Sequence, residues 1–309
     1  MSDTVANLSR KIESAGDLQS VVRTMKALAA SNIGQYEQSV HALGDYSRTV
    51  ELGLGVCFRS RPRLTSHHRG NATSRTRAVQ AIVVGSDQGL VGQFNDVIAD
   101  FAVSELATLP GEHRVWAVGD RVRARLEDAG VVVAGLFAVP TSVQAITPLI
   151  ADMLVKTAAP GTDAQADELR LYFNHPTTAA GYVPVSLRLL PLDDEWRRTL
   201  ADRSWPTKSL PDVIGTVSGT LPALIREYLF VSLFRACAES LASENASRLA
   251  AMQRADKNID ELLEHLHGTF RRLRQSVIDE ELFDVIAGFE ALSTDNAQPA
   301  VATISYRPA

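Results

Sequence analysis

The sequence predicts an α/β protein: a long antiparallel coiled coil of the N- and C-terminal helices, with a central open α/β sheet domain between them. Three observations carry that expectation. All 13 prolines lie at or after Pro62, and eleven fall between Pro62 and Pro222, so that residues 1–61 and 223–298 contain none. An interior proline removes a helical hydrogen bond and clashes with the preceding turn, so the two proline-free arms are where long helices run unbroken. Both arms repeat apolar residues at coiled-coil spacing, and the proline-bearing middle alternates short apolar runs with helical periodicity.

In the first arm, residues 1–58, apolar side chains recur at Val5, Leu8, Ile12, Ala15, Val22, Ala29, Ile33, Tyr36, Val40 and Leu43, interrupted by Gln19 and Lys26. Steps of three, four and seven follow a 3.5-residue repeat, the seam of a left-handed coiled coil. The last arm, residues 221–292, carries the same repeat through Leu249, Met252, Ile259, Leu263, Leu266, Phe270, Leu273 and Val277, broken by Asp256. As one helix with Pro222 in its first turn, this arm is about 108 Å long at 1.5 Å per residue. A compact domain is roughly 30 Å across, so most of such a helix has no domain surface to cover its stripe. The two arms can cover each other, and since the intervening segment must bring the chain back, the economical arrangement is an antiparallel pair.

Between the arms, residues 59–77 form a basic linker with six arginines and two histidines, inside a stretch, Leu52–Ser86, that has no acidic residue. Its Ser, Thr, Gly and Arg content predicts a solvated, mobile connection. Residues 78–192 form the α/β domain, with strands expected at Ala78–Val84, His113–Val118, Val131–Phe137, Glu168–Phe173 and Tyr182–Leu190. Helical periodicity at Phe94–Leu109, Gly119–Ala129 and Ser142–Thr157 makes this an open, Rossmann-like sheet with right-handed crossovers. Residues 193–220 are a connecting segment. Residues 293–309, with Pro299 and Pro308 and little apolar periodicity, are expected to be a mobile tail.

Composition excludes several classes. The longest apolar runs are too short to span a bilayer. No basic stretch followed by an apolar one opens the chain, so no secretory signal is expected and the cytoplasm is the default compartment. Two cysteines, Cys57 and Cys237, make neither a disulfide framework nor a zinc site. A net charge of −5 argues against nucleic acid as a partner.

The first strand of the middle domain runs into Gly85-Ser86-Asp87-Gln88-Gly89-Leu90-Val91-Gly92-Gln93-Phe94-Asn95, the strand-to-helix turn where α/β proteins often bind ligands. Gly89 and Gly92 lack both dinucleotide spacing and the G-K-[ST] ending of a P-loop, so Asp87, Gly89, Gly92 and Asn95 read as a structural turn. His265 and His267, two apart on a helix, face nearly opposite ways and cannot share a metal. No G-x-S-x-G or similar nucleophile turn is present. No catalytic constellation, metal site or cofactor is expected.

Three blocks in order along the chain resemble the gamma subunit of F-type ATP synthases. Gln19-Ser20-Val21-Val22-Arg23-Thr24-Met25-Lys26-Ala27-Leu28-Ala29-Ala30 is similar to the family's Q-K-I-T-K-A-M-K-M-V-A-A. The stretch Ser86–Asn95 is similar to its S-D-R-G-L-C-G-G-L-N turn. Glu239-Ser240-Leu241-Ala242-Ser243-Glu244-Asn245, then Arg248, Met252, Asn258 and Arg274-Gln275-Ser276-Val277-Ile278-Asp279-Glu280-Glu281-Leu282, follow its E-S-L-A-S-E-H…R…M…N…R-Q-A-S-I-T-Q-E-L pattern. Asp279-Glu280 replaces the usual Thr-Gln, adding negative charge beside Arg274.

The resemblance implies a rotor shaft inside a ring of three alpha and three beta subunits, with the epsilon subunit and the membrane c-ring as further partners. It implies that rotation couples ion flow to ATP synthesis, that catalysis belongs to the ring, and that the chain is peripheral to the cytoplasmic face of the cell membrane. Met25 and Lys26 match positions where the family's rotor meets the lever of the beta subunit, and Arg248 an arginine on the opposing helix. Arg274 and Gln275 match its polar catch, and Glu281 falls in the same block as a further partner contact. The residues alone leave two other readings open. One is an α/β small-molecule-binding enzyme with helical arms, which needs a ligand at the Gly85–Asn95 turn; the other is a generic coiled-coil scaffold, which does not need the three ordered blocks.

Overall fold

The computed structural model describes residues 4–60, 78–158, 168–177, 181–209, 211–214 and 216–295. The element order is α1 (Val5–Ser60), β1 (Ala78–Val84), α2 (Phe94–Thr108), β2 (Glu112–Val118), α3 (Asp120–Asp128), β3 (Val133–Phe137), α4 (Ile146–Ala158, preceded by a single 3-10 turn), β4 (Glu168–Pro176), β5 (Tyr182–Leu190), α5 (Asp194–Asp202) and α6 (Val217–Asp295). Two compact units emerge: Met25–Gln253, and the described parts of Met1–Thr24 with Arg254–Ala309.

The heptad of the first arm is visible as burial. Leu8, Ala15, Val22, Ala29 and Tyr36 are buried at strict seven-residue intervals, while Ile12, Gln19, Lys26, Ile33 and Val40 occupy the half-buried second position of each repeat. In the smaller unit, Gln19 donates to Asp260 and Arg23 pairs with Asp256, so partner numbers fall on α6 as they rise on α1. In the larger unit Asn32 meets Asn245 and Tyr46 donates to Glu227, with the same antiparallel sense. Within each unit the two long helices therefore pack antiparallel along part of their apolar stripes.

The sheet of the larger unit has strand order β3-β2-β1-β4-β5. The first four strands are parallel, and β5 is antiparallel to β4. The last connection departs from the expected run of crossovers. Only residues 177–181 separate β4 from β5, too few for a crossover helix, so the chain turns back as a hairpin. Strand alternation sorts β1 between two cores. Ala81 and Val83 face Ile98 and Ala102 of α2 with Val122 and Leu126 of α3. Ile82 and Val84 face Ile150 and Met153 of α4 and Leu229, Leu233, Cys237 and Leu241 of α6. The long C-terminal helix is thus itself one layer of the α/β sandwich.

A third cluster closes the far end of α1, where Val50, Leu54, Cys57 and Phe58 pack on Leu200 of α5 and Leu221 of α6. Here α1 approaches α5 so closely that a Cβ on Gly55 would collide with the Leu200 carbonyl oxygen. The sequence reading placed no helix in residues 193–220. Asp193 starts α5 there, its carboxylate accepting from the Trp196 amide at 3.0 Å, with Asp194 and Glu195 favourably placed in the first turn. The C-terminal helix also begins earlier than expected, at Val217, which puts Pro222 inside it rather than in its first turn. It ends at Asp295, so Ser293–Asp295 belong to α6 rather than to a tail. The linker 61–77 and residues 296–309 lie outside the described residues.

Candidate functional site

The turn after β1 is held by its own side chains. Asp87 Oδ1 accepts from the Asp120 amide at 2.9 Å and Oδ2 from the Val139 amide at 3.0 Å, so one carboxylate fastens the turn to the start of α3 and to the segment after β3. Asn95 completes a reciprocal pair: its Oδ1 accepts from the Ser86 amide at 2.9 Å and its Nδ2 donates to Ser86 Oγ at 2.8 Å. Gly92 sits at φ +59°, and Leu90, a non-glycine residue, at +63°. A Cβ on Gly89 would meet nothing nearer than the Arg121 guanidinium at 3.7 Å, so Leu90 and Gly92 make the left-handed turns and Gly89 does not. The side chains of Ser86, Asp87 and Asn95 are thus engaged in holding the loop.

Against this turn lies a groove of about 270 Å³ between α1, α6 and the segment after β3. Met25 and Leu28 of α1, Asp87, Pro140, and Glu244 and Arg248 of α6 are among its walls. The structure thereby brings Met25, Arg248 and Asp87, which the sequence reading took from separate blocks, into one depression. Lys26 is half-buried beside Met25 on α1. Arg274, Gln275 and Glu281 lie far along α6, in the smaller unit, and are all exposed.

Glu244, which the sequence reading assigned no role, is the unexpected member of the groove. Its Oε1 accepts from Arg248 Nη2 at 2.6 Å, and the two side chains retain only 7% and 13% of their exposure. Glu244 Oε2 and Arg248 Nε find no partner among the described residues. Burial holds the Glu244 carboxyl above its ordinary range, against the opposing attraction of Arg248, and Asp87 adds to the rise. Burial likewise raises Tyr36 on the neighbouring turn of α1, with Glu244 contributing. The available signal was the unbroken polar run Ser243-Glu244-Asn245 in an otherwise apolar layer, which reads as solvated until a sheet covers it.

The comparisons with known proteins fit this arrangement. Residues 4–292 match the family model described as ATP synthase. The chain belongs to the ATP synthase gamma family. It is 25% identical over 293 residues to the ATP synthase gamma chain of Syntrophus aciditrophicus (strain SB), covering 93% of this chain and 98% of that relative. It is 27% identical over 297 residues to the gamma chain of Acidiphilium cryptum (strain JF-5), covering 92% and 98%. This gamma chain also shares its fold with a chain of the solved Euglena gracilis mitochondrial ATP synthase (OSCP/F1/c-ring, rotational state 3), at TM-score 0.59 and 16% identity over 98% of this chain and 99% of that one. No helix among the described residues of this gamma chain is long and apolar enough to cross a membrane.

Proposed function

We propose that this gamma chain, by its family the central-stalk rotor of an F-type ATP synthase, works as a shaft whose C-terminal helix is completed by a surrounding ring of alpha and beta subunits. One observation carries the reading. From Arg274 to Glu290 every described residue of α6 is exposed, including Ile278, Leu282, Phe283, Val285, Ile286 and Phe289. At the register of the Gln19–Asp260 contact, Val5 comes opposite residue 274, so α1 ends where this exposure begins. About five turns of helix whose apolar side chains have no cover among the described residues need an apolar sleeve from outside.

The remaining roles follow the same reading. Met25 and Arg248 present the groove beside the β1 turn to the moving lever of a beta subunit, with Lys26 next to Met25 as a further contact. Arg274 and Gln275 form the polar catch, because a guanidinium and an amide each offer several directed hydrogen bonds that can be made and broken as the shaft turns. Glu281 is a further contact on the overhang. Asp87, Gly92 and Asn95 keep the turn rigid behind the groove. The α/β unit faces the epsilon subunit and the c-ring, which places the chain peripherally at the cytoplasmic face of the cell membrane. Angle then selects which conformation each beta subunit occupies, a bias on pre-existing states.

The experiment is co-expression with alpha and beta subunits of the same source, followed by size-exclusion chromatography, an ATPase assay and observation of a probe on the α/β unit. A stable complex whose ATP hydrolysis turns the probe supports the proposal. A chain that remains monomeric beside an assembled ring contradicts it.

A further inference from the structure

The contact between α6 and the sheet is mostly apolar, and apolar attraction is non-directional. A helix held that way resists being pulled off the sheet far better than being turned about its own axis, since turning exchanges one apolar contact for another. Resistance to turning needs bonds with a preferred direction. The buried face of α6 carries such bonds at four-residue intervals, at Glu239, Ser243 and Ser247.

Glu239 is 6% exposed, and both carboxylate oxygens are engaged. Oε1 accepts from Arg235 Nε at 2.7 Å, and Oε2 lies 2.8 Å from His175 Nδ1 at the end of β4. One turn on, Ser243 Oγ sits 3.0 Å from the Asn174 carbonyl oxygen and 2.9 Å from the Glu239 carbonyl oxygen, sharing its proton between β4 and its own helix. Asn174, fully buried, donates from Nδ2 to the Phe94 carbonyl oxygen at 3.0 Å, which fixes the strand end against α2. One turn further, Ser247 Oγ donates to the Val91 carbonyl oxygen at 2.5 Å, in the turn after β1. Three successive turns of α6 are therefore bonded to the end of β4 and to the turn after β1, which Asp87 and Asn95 hold in place.

We infer that Glu239, Ser243 and Ser247 are positioning residues that pin the angle of α6 against the sheet, so that torque applied to the α/β unit turns the long helix instead of slipping past it. The inference rests on the rotor reading above. It assigns transmission of torque to three side chains that apolar packing alone would not require.

The test uses the full chain assembled with alpha and beta subunits, with a probe on the α/β unit and the ring arrested by nucleotide. Rotation of the unsubstituted complex is established first, and its absence overturns the rotor reading itself. The double variant Ser243→Ala with Ser247→Ala should then broaden the probe's angular variance about twofold, since directional bonds are lost while apolar contact remains. In the complete synthase it should also lower the number of ions pumped per ATP, with hydrolysis by the ring unchanged. Glu239→Gln, which keeps size and shape, should broaden the variance in the same sense and serves if the double variant does not assemble. Leu233→Ala, at a fully buried apolar position of the same interface, is the control and should lower the melting temperature without broadening the distribution. Wild-type variance in the assembled pin variants, or equal broadening in Leu233→Ala, would overturn the inference.

Discussion

The two ends of one helix obey opposite burial rules. Between residues 239 and 245, α6 buries Glu239, Ser240, Ser243, Glu244 and Asn245; between 277 and 289 it exposes Val277, Ile278, Leu282, Phe283, Val285, Ile286 and Phe289. Buried polar groups are tolerated where each finds a partner, and at the sheet end most do. Exposed apolar side chains in a continuous stripe mark a surface that another molecule covers. The contrast separates the part of the helix that this chain covers by itself from the part that, on the proposed reading, other subunits cover, and it can be broken or sharpened by substitution.

The largest difference is expected from matched truncations. Leu233→Ala empties a fully buried site and should cost about 2–5 kcal/mol in the isolated chain. Leu282→Ala, at 56% exposure, should stay within about 0.5 kcal/mol. Urea unfolding of both variants measures this, and comparable losses would erase the contrast.

Next come the exposed polar residues of the overhang. Replacing Arg274 and Gln275 together by alanine should leave the melting temperature of the isolated chain unchanged while slowing ATP turnover in the assembled complex. A hydrogen bond to a charged group is worth about 1.5–3 kcal/mol, enough for a clear rate effect. Wild-type turnover in a correctly assembled double variant would remove these two residues from the catch.

A smaller loss is expected at the sheet end from Asp87→Ala, which leaves the Asp120 and Val139 amides without their acceptor. Unsatisfied groups of this kind cost about 1–3 kcal/mol each when buried and less where water reaches them, as it does here. Thermal unfolding measures it, and a variant as stable as the parent would show that the turn is not held by this carboxylate.

The smallest effect is a pH slope. Because burial raises the Glu244 carboxyl above 4.5, the folded chain binds more protons than the unfolded one between 4.5 and the raised value. Stability contributed by this group therefore falls as pH rises through that window. Relative to Glu244→Gln, which cannot titrate, the parent should lose stability with rising pH there. A difference that stays constant or grows would contradict the assignment.

Much of the fold was legible because it is written in local periodicity. The seven-residue interval from Leu8 to Tyr36 is a property of one helix, and the alternation of Ala81 and Val83 with Ile82 and Val84 a property of one strand. Elements that depend on partners were harder to read. The direction of β5 is set by the length of the connection 177–181, which apolar runs do not report. The helix α5 has only nine residues, and its signal is the cap at Asp193 rather than a long period. Pro222 reads from the sequence as a first-turn residue, where a missing amide costs nothing, yet α6 starts at Val217 and accommodates it.

The groove divides in the same way. Met25, Arg248 and Asp87 were singled out through separate blocks, but their meeting depends on the antiparallel register and on the segment after β3. Glu239, Ser243 and Glu244 stand in the block that resembles the family, but their burial depends on the sheet and on α1, which local sequence does not report, and the same holds for Ser247. The exposure of the overhang was hidden for the converse reason. Val277 continues the heptad of its arm, and periodicity alone does not tell that α1 ends before it.

The claim that the far end of α6 is covered by other subunits is tested most directly by its accessibility. In Leu282→Cys the new thiol is the reactive one: Cys57 and Cys237 are buried, and burial pushes the Cys237 thiol up to about 12, which leaves little reactive thiolate. The rate of maleimide labelling is measured on the isolated chain and on the purified complex with alpha and beta subunits. The account predicts rapid labelling of the free chain and labelling slowed about tenfold or more in the complex, a protection worth about 1.4 kcal/mol or more. Equal rates in a complex that hydrolyses ATP would show that this stripe stays uncovered, and would contradict the shaft assignment.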